Sequence, residues 1–464
     1  MEYSFDRGTI IIDSGWPPAR RTGPLPGFFL WDARVTRWRA PAHRLPAFRA
    51  WLREREIEVV YRSPRPPGFL PERVPGESLP RLRPYQEDAL RAWHAAGRRG
   101  LVSLPTGSGK TRVAVRAMLA LERPAIVIVP TRQLLRQWVA VVSESYPGPV
   151  GAYGDGERDV RPITVATYES ARRQLDRFGD HFDLLVIDEA HHLASAEVEE
   201  SARMATARYR LGLSATPRAA GSRFTLLLGE LIGPICFELP ISRLAGSYLA
   251  PFERNVVTLK LAPEEQAEYD RLRLAFTNYY WPFVEANPKA TWEEFARAAS
   301  KSPAGREALA ALRRSREVLS LPRSKISAID QILDSHPSEP TLIFTAGNRA
   351  AYEISRRFLI PAITCDIDRR ERERILERFR SGTYRAIVSA KVLNEGLDVP
   401  AASVAIISGG SQSPVEHAQR IGRVLRPVEG KGAVVYELGL AGTRDWRAGE
   451  KRSRIDVLDP APSP

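Results

Sequence analysis

Short runs of apolar, often β-branched residues alternate with longer amphipathic stretches along most of this 464-residue chain. Such alternation is typical of parallel sheets whose two faces are covered by helices. Because the runs come in two blocks, the pattern predicts an α/β fold with two parallel-sheet domains in tandem. The predicted strands lie at 100–104, 125–129, 163–167, 184–187 and 209–213, then at 341–345, 360–365, 385–389, 403–408 and 433–436.

The remaining segments differ in pattern. The N-terminal segment combines a short apolar run, an extended aromatic stretch and an amphipathic helix, which predicts a small α+β domain. A proline-rich stretch without periodicity follows, as in a linker. The predicted organisation is an N-terminal domain (1–62), a linker (63–81), a first sheet domain (82–238), a second sheet domain (239–445) with a helical insertion at about 262–322, and a tail expected to be disordered (446–464).

Composition narrows the classes of protein to which the chain can belong. No apolar run reaches the length of about 18 residues that a membrane-spanning helix needs, and the first residues lack the layout of a signal peptide. Two cysteines, Cys236 and Cys365, exclude a disulfide framework and a four-cysteine zinc site. We therefore expect a cytoplasmic protein with no membrane partner. The net charge of +13 favours a polyanionic partner such as nucleic acid.

The stretch "LPTGSGKT" predicts a phosphate-binding loop between a strand and a helix. Glycines let backbone N–H groups turn towards phosphate oxygens, the lysine reaches the β- and γ-phosphates, and the following threonine holds Mg²⁺. The strict motif has a glycine where this chain has Leu104. The residues expected to bind the ATP phosphates are Thr106, Gly107, Ser108, Gly109, Lys110 and Thr111.

A second chemical signal closes the apolar run at 184–187, where Asp188 and Glu189 precede His191 and His192. An acid at the carboxyl end of a parallel strand lies where α/β sheets bind ligands. We expect Asp188 to hold Mg²⁺ and Glu189 to polarise the attacking water. A zinc protease needs a different order of His and Glu. The alternative is that the acidic pair caps the next helix.

Three arginines, Arg420, Arg423 and Arg426, lie at helical spacing in "EHAQRIGRVLRP". Such a stripe forms either a solvated or DNA-facing surface, or a set of arginine fingers that completes a phosphate site in another domain. Arginine fingers raise the rate about 10³–10⁵-fold in GTPases.

The order of the motifs resembles superfamily 2 helicases. From 83 to 426 the chain reads "RPYQ", "LPTGSGKT", "VPTRQLLRQW", "DEAH", "SATP", "LIFT", "NEGLDVP" and "QRIGRVLR". Within that superfamily it is similar to the XPB type of DNA repair helicase in its compact prokaryotic form. The resemblance implies two RecA-like domains around an ATP cleft, a thumb formed by the helical insertion, a damage-recognition domain at the N-terminus, and 3′→5′ movement on DNA in repair.

The resemblance also implies residue roles beyond the phosphate loop and acidic pair. It assigns the nucleotide to Arg83 and Gln86 in the first domain and to Gly396 and Asp398 in the second. It assigns coupling of ATP to DNA to His191, Ser214 and Thr216, and the rest of the catalytic set to Gln419, Arg423 and Arg426. The DNA-backbone positions that it implies are Thr131, Arg132, Thr167, Thr345 and Asn394.

Each of two groups of aromatic residues has two possible interpretations. Tyr279, Tyr280 and Trp281 could stack on bases, or form a core between the thumb helices, which is the favoured interpretation. Trp31 and Arg37, with neighbouring arginines and Trp38, could meet DNA or pack on the first RecA-like domain.

One departure from the family keeps the mode of action open. XPB-type enzymes carry Arg-Glu-Asp shortly after "TP", a motif implicated in strand separation, whereas this chain reads "TPRAAGSRF". The predicted function is an ATP-dependent DNA helicase or translocase that acts on single-stranded or forked DNA, with a nuclease or repair protein as a partner. The alternatives are a duplex translocase, a remodeller switched by ATP without strand separation, and an RNA helicase.

We expect Arg426→Ala to lower the kcat of ATP hydrolysis by about 10³-fold if this arginine acts as a finger on the transferred phosphoryl group. Nucleotide affinity should change by less than about 10-fold, because the contact forms mainly in the transition state. Steady-state hydrolysis measures the first quantity and nucleotide titration measures the second. Equal losses of binding and turnover would place Arg426 in ground-state recognition.

Overall fold

The computed structural model describes residues 1–14, 25–63, 65–66, 68–215, 221–239, 243, 252–288, 290–390, 402–409 and 433–443. The chain divides into two compact units, Met1–Ile241 and Ser242–Pro464. Among the helices within the described ranges, none has both the length and the apolar character that a membrane crossing requires.

The N-terminal segment forms a five-stranded sheet with one helix. Its strand order is β3-β4-β2-β1-β5, antiparallel except for the β1–β5 pair. Leu45, Phe48 and Leu52 line one side of the helix and pack against the sheet in the core of this domain. The extended aromatic stretch is a hairpin of two strands. The elements are β1 (Glu2–Asp6), β2 (Thr9–Ser14), β3 (Leu30–Asp32), β4 (Arg37–Pro41), α1 (Leu45–Glu54) and β5 (Val60–Arg62).

The proline-rich stretch predicted as a linker lies against the first parallel-sheet domain. Arg65 donates to the carboxylate of Asp183 at 3.1 Å and to the backbone oxygen of Asp180 at 2.9 Å. The backbone N–H of Glu72 donates to the Tyr146 hydroxyl at 2.9 Å. The lack of periodicity therefore marks an irregular segment bound to its neighbour rather than a free spacer.

The first parallel-sheet domain has strand order β13-β6-β12-β11-β7-β10-β8-β9, and only the β8–β9 pair is antiparallel. The pattern did not predict β8, β9 and β13, which lie at the two edges. The strands are β6 (Arg99–Ser103), β7 (Ala125–Val129), β8 (Gly151–Gly154), β9 (Glu157–Arg158), β10 (Ile163–Thr167), β11 (Leu184–Ile187), β12 (Tyr209–Ser214) and β13 (Ile235–Glu238).

Helices cover this sheet and bury its central strands. Every residue of Ala125–Val129 and Leu184–Ile187 is buried, which explains why these strands are apolar without alternation. The helices are α2 (Pro84–Ala95), α3 (Lys110–Leu121), α4 (Arg132–Ser143), α5 (Tyr168–Phe178), α6 (Ala196–Met204) and α7 (Gly221–Leu231), with a 3-10 helix at Ala190–Ala194.

The second unit contains a six-stranded parallel sheet in the order β14-β19-β18-β15-β17-β16. Strand β14 was not predicted, and the predicted strand at 360–365 is only two residues long. The elements are β14 (Phe252–Leu259), α8 (Pro263–Ala286), α9 (Trp292–Ser300), α10 (Pro303–Ser320), α11 (Arg323–Ser335), β15 (Thr341–Thr345), α12 (Asn348–Phe358), β16 (Ala362–Ile363), α13 (Arg369–Arg380), β17 (Ala386–Ala390), β18 (Val404–Ile407) and β19 (Ala433–Leu440).

Helices α8 to α10 form the inserted helical segment and enclose an aromatic core. Tyr279 and Tyr280 pack on a buried cluster around Phe276 and Phe295, whereas Trp281 is 56% exposed. The core interpretation thus fits the two tyrosines, and Trp281 alone of the three aromatic residues is exposed.

The carboxylate of Glu230, on α7, joins the N-terminal domain to the first parallel-sheet domain. Arg203 on α6 donates to both of its oxygens at 3.0 and 3.1 Å, and Arg44 donates at 2.8 Å. His43 Nε2 lies 3.2 Å from Glu230 Oε1. Burial lowers the pKa of His43 to about 4, so the ring is neutral at pH 7 and donates its Nε2 hydrogen. Two domains therefore share one ionic cluster.

We expect Glu230→Ala to lower the free energy of unfolding of the first unit by about 2 kcal/mol, because two partly buried guanidinium groups lose their shared acceptor. Urea unfolding of the full chain measures this. Asp88→Ala is the control: it removes an exposed pair with Arg91 and should cost less than about 0.5 kcal/mol. Equal effects of the two substitutions would contradict the assignment.

Candidate active site

The glycine-containing loop after β6 closes around the N-terminus of α3. Gly107 and Gly109 have φ angles of 83° and 81°, in the left-handed region that glycine adopts at low cost. Gly109 directly precedes α3, and no side chain in the described ranges caps this helix end. The first backbone N–H groups of α3 are therefore available to an anion such as the phosphates of a nucleotide.

Two side chains of α2 hold the loop in this shape. The Ser108 backbone oxygen accepts hydrogen bonds from the Tyr85 hydroxyl and from Gln86 Nε2, both at 2.7 Å. Gln86 Oε1 accepts from the backbone N–H of Arg83 at 2.8 Å. A Cβ at Gly109 would lie 2.5 Å from Gln86 Nε2. The Gln86 amide, which the resemblance assigns to the nucleotide, makes hydrogen bonds through both its oxygen and its nitrogen and shapes the loop.

The polar groups of the loop fit a nucleoside triphosphate with Mg²⁺. Lys110 Nζ donates to the Leu104 backbone oxygen at 3.2 Å, beside the loop that it would serve. Thr106 Oγ1 is buried and has no hydrogen-bond partner within the described ranges. An unpaired buried hydroxyl costs about 1–3 kcal/mol, which a ligand oxygen would relieve. Thr111 follows in the first turn of α3, as the magnesium-binding threonine of this loop type does.

The carboxylate of Asp188 lies buried at the carboxyl end of β11. Trp138 on α4 donates its indole N–H to Oδ2 at 2.7 Å, and the Glu189 backbone N–H donates to Oδ1 at 3.0 Å. Burial raises the pKa of Asp188 to about 6, and the charge of Glu189 adds to this, whereas the Trp138 hydrogen bond and the charge of Lys110 lower it. The loop and the acidic pair lie at the same edge of the sheet, because β6 and β11 flank β12 and all three strands are parallel.

Glu189 has a left-handed backbone with φ of 47°, which is uncommon for a non-glycine residue. It precedes the 3-10 helix, and its side chain makes no capping hydrogen bond within the described ranges, so the capping alternative is not supported. Its Oε2 lies 3.4 Å from His191 Nδ1 without hydrogen-bond geometry. The His191 ring lies 4.2 Å from the His192 ring. Glu189 Oε2 is therefore a buried acceptor without a hydrogen-bond partner within the described ranges.

Ser214 ends β12, which lies between β6 and β11. Its backbone oxygen accepts from the Leu104 backbone N–H at 3.0 Å, and Leu104 in turn accepts from Lys110. The Ser214 side chain is fully buried. This position, between the loop and the acidic pair, suits the predicted coupling role.

Two predicted DNA-backbone residues begin neighbouring helices. The Thr131 hydroxyl accepts from the Leu134 backbone N–H at the start of α4, and the Thr167 hydroxyl accepts from the Ser170 backbone N–H at the start of α5. Strands β7 and β10 are adjacent and parallel, with Val129 opposite Thr167. The two helix N-termini therefore lie side by side at the carboxyl edge of the sheet. The dipoles of both helices favour phosphate there.

The other described DNA-backbone candidates differ from each other in exposure. Arg132, the first residue of α4, is 76% exposed and lies 3.7 Å from the carboxylate of Asp155. Thr345 is buried in the second unit, where its hydroxyl donates to the Gly347 backbone oxygen at 3.1 Å. Its part in DNA binding stays a prediction.

The remaining predicted site residues lie outside the part of the chain that the structure describes, and their roles stay predictions from the sequence. They are Thr216, Asn394, Gly396, Asp398, Gln419, Arg423 and Arg426.

Sequence reasoning missed three aromatic residues of the site: Tyr85, Trp138 and Tyr168. The Tyr168 hydroxyl, at the start of α5, donates to the backbone oxygen of Asp188. Trp138 shares the buried face of α4 with Leu135. Such a tryptophan gives the same sequence pattern as a residue that only fills the core, so no sequence signal marks its hydrogen bond.

Three family models match the chain. The damage recognition domain of the xeroderma pigmentosum group B helicase matches residues 4–62. The res subunit of type III restriction enzymes matches residues 79–219, and the conserved C-terminal helicase domain matches residues 324–428.

Relatives match across most of the chain. The "DNA 3'-5' translocase XPB2" of Sulfurisphaera tokodaii is 34% identical over 91% of this chain and 95% of its own length. The "Putative DNA 3'-5' helicase Rad25" of Halobacterium salinarum is 30% identical over 80% of this chain and 56% of its own length. The "DNA 3'-5' helicase XPB" of Mycobacterium tuberculosis is 27% identical over 81% of this chain and 63% of its own length.

Two solved structures share the fold. The Hef helicase domain of Pyrococcus furiosus is 21% identical, with a TM-score of 0.54 over 82% of this chain and 100% of its own. Dbp5 of S. cerevisiae, bound to RNA and ADP BeF3, is 16% identical, with a TM-score of 0.54 over 82% of this chain and 88% of its own. The likenesses confirm the predicted fold class of two RecA-like domains. The 34% identity to the Sulfurisphaera protein, over 95% of that protein's length, confirms the predicted family: the chain belongs to the XPB family of superfamily 2 helicases and translocases.

Proposed function

We propose that this protein is an ATP-driven motor that moves 3′→5′ on DNA and acts in DNA repair. One observation carries the proposal: a phosphate loop and the buried acid Asp188 share one edge of a parallel sheet with the N-termini of α4 and α5. Matches to relatives named as DNA 3'-5' translocase or helicase support the polymer and the polarity.

The first unit supplies the hydrolytic groups. Backbone N–H groups at the start of α3 and the Lys110 ammonium bind the β- and γ-phosphates of ATP. The Thr111 hydroxyl and the Asp188 carboxylate would hold Mg²⁺, which when bound supplies positive charge to the transferred phosphoryl group. Glu189 would orient the attacking water through its carboxylate and accept the proton.

The second unit completes this site in the proposal. Gly396 and Asp398 contact the nucleotide, and Gln419, Arg423 and Arg426 stabilise the charge that develops on the transferred phosphoryl group. The order of their motifs in the sequence supports these roles, as does the family model that matches residues 324–428.

DNA lies across the carboxyl edge of the sheet in the proposal, with its phosphates at Thr131, Arg132 and Thr167. Contacts of this kind do not depend on base sequence, and they weaken as salt rises. The resemblance assigns contacts of the same kind to Thr345 and Asn394 of the second unit. Binding along one strand in this way suits a protein that moves past every sequence that it meets.

Movement along DNA without strand separation is the second candidate. It is favoured by "TPRAAGSRF", which lacks the Arg-Glu-Asp that the family uses near this point. A relative that aligns with 91% of this chain is itself named a translocase. RNA stays an alternative substrate, because the same motor domains can act on either polymer and backbone contacts barely distinguish RNA from DNA. We further propose a cytoplasmic location on the nucleoid and a nuclease or repair protein as partner.

We expect Glu189→Gln to lower the kcat of DNA-stimulated ATP hydrolysis by about 10²-fold or more, because the amide cannot accept the proton of the attacking water. ATP affinity should stay within about threefold of the wild type, because the loop and Asp188 are unchanged. Phosphate release and nucleotide titration measure the two quantities. Glu200→Gln on α6 changes an exposed carboxylate and should leave both unchanged. Full turnover in Glu189→Gln would remove this residue from its assigned role.

The polymer and the mode of movement are decided by one panel of substrates. We expect single-stranded and forked DNA to stimulate hydrolysis at least about 10-fold more than RNA of the same sequence. Activity in both strand displacement and triplex displacement indicates a helicase, and activity in triplex displacement alone indicates a translocase. Stimulation without either displacement activity indicates an ATP-switched remodeller. Equal or greater stimulation by RNA would contradict the proposal of a DNA motor.

A further inference from the structure

Asp188 is held by aromatic donors from two different helices. Trp138 of α4 donates to its carboxylate at 2.7 Å, and Tyr168 of α5 donates to its backbone oxygen. Trp138 is 1% exposed. Neither aromatic residue belongs to the phosphate loop or to the acidic pair, so neither contacts the phosphates in the proposed mechanism.

The same two helices begin at the proposed DNA surface. Thr131 precedes α4, and Trp138 follows seven residues later, which is about 10 Å along one rigid helix. Thr167 precedes α5, whose first residue is Tyr168. Each of these helices is therefore joined directly to Asp188 by one hydrogen bond, with no other element between them.

We propose that Trp138 is a positioning residue that fixes the carboxylate of Asp188 for Mg²⁺ and couples it to DNA bound at the start of α4, with Tyr168 as the second anchor. The proposal rests on the proposed function, since it needs both a metal–nucleotide and a DNA ligand. The indole bond fixes rotation of the carboxylate about its Cβ–Cγ bond. It occupies one lone pair of Oδ2 and leaves others for the metal or its water.

A buried tryptophan can also act only by filling space, and Trp93 on α2 is the matched case. Trp93 is 1% exposed as well, and its indole N–H donates to the backbone oxygen of Arg210 at 2.9 Å. Trp93→Phe therefore removes the same ring and the same N–H from the same domain without touching the acidic pair. The two substitutions remove the same kind of donor from different acceptors, a backbone oxygen in one case and the Asp188 carboxylate in the other.

The first measurement is the affinity of a non-hydrolysable ATP analogue, titrated with Mg²⁺ and with EDTA in the absence of DNA. We expect Trp138→Phe to reduce the gain in affinity that Mg²⁺ provides by about 10-fold, the size of effect that groups orienting metal ligands usually have. Affinity in EDTA should stay within about threefold of the wild type. Trp93→Phe should keep the full gain.

The second measurement is the ratio of kcat with and without single-stranded DNA. We expect Trp138→Phe to lower this ratio about 10-fold while the affinity for DNA without nucleotide stays within about threefold. Urea unfolding of both phenylalanine variants shows whether each is folded. If Trp138→Phe does not fold, Tyr168→Phe tests the second anchor in the same two measurements, because it removes the hydroxyl that donates to the Asp188 backbone oxygen and keeps the ring. Unchanged values in that variant would overturn the proposal.

An unchanged Mg²⁺ gain in Trp138→Phe, or an equal loss in Trp93→Phe, would overturn the proposal. The failure of the proposed function gives a different result: wild-type hydrolysis would then not respond to DNA. Since the Mg²⁺ measurement uses no DNA, it tests the positioning of Asp188 in either case. A normal DNA ratio combined with a lost Mg²⁺ gain would overturn the coupling to DNA.

Discussion

The site depends on keeping one ionised carboxylate inside the protein. Asp188 closes a fully buried strand, and burial alone would favour its neutral form. A hydrogen bond from Trp138 and the charge of Lys110 oppose that effect. Because a metal ligand must be deprotonated, these neighbours matter to the chemistry as much as to stability. Lys110 at the phosphate loop and Trp138 on α4 therefore both favour the charged form of Asp188.

The order of strands in the first parallel sheet places Asp188 between the nucleotide groups and the proposed DNA groups. Along one edge, β6 leads to the phosphate loop, β12 ends at Ser214, Asp188 follows β11, β7 leads to Thr131, and β10 ends at Thr167. The nucleotide groups thus lie at one end of a continuous row and the proposed DNA groups at the other, with Asp188 between them. Since all of these strands are parallel, their carboxyl ends meet at the same edge.

The N-terminal domain is bound to two helices of the first parallel-sheet domain, α6 and α7. Glu230 on α7 and Arg203 on α6 hold it through Arg44. Arg210, fully buried in β12, fixes the same ends of these two helices by donating to the backbone oxygens of Ala202 at 2.9 Å and Leu231 at 2.8 Å. Burial lowers the pKa of Arg210 to about 9, which still leaves it protonated at pH 7. The N-terminal domain is therefore fixed to α6 and α7. In the sequence, α6 follows the acidic pair and α7 follows Ser214.

The sequence by itself determined the parallel-sheet architecture, the phosphate loop and the acidic pair, because these depend on local patterns: apolar runs, glycine spacing and an acid at a strand end. It could not determine the short edge strands β8, β9 and β13, whose burial is too incomplete for a clear pattern. Only the tertiary structure decided that the proline-rich segment is bound to its neighbour, that Glu230 joins two domains, and that Trp138 donates to Asp188. Each of these contacts joins residues 50 or more positions apart. A side chain on the buried face of a helix has the same sequence pattern whether it fills space or holds a catalytic group, and only its neighbour in the folded chain distinguishes the two.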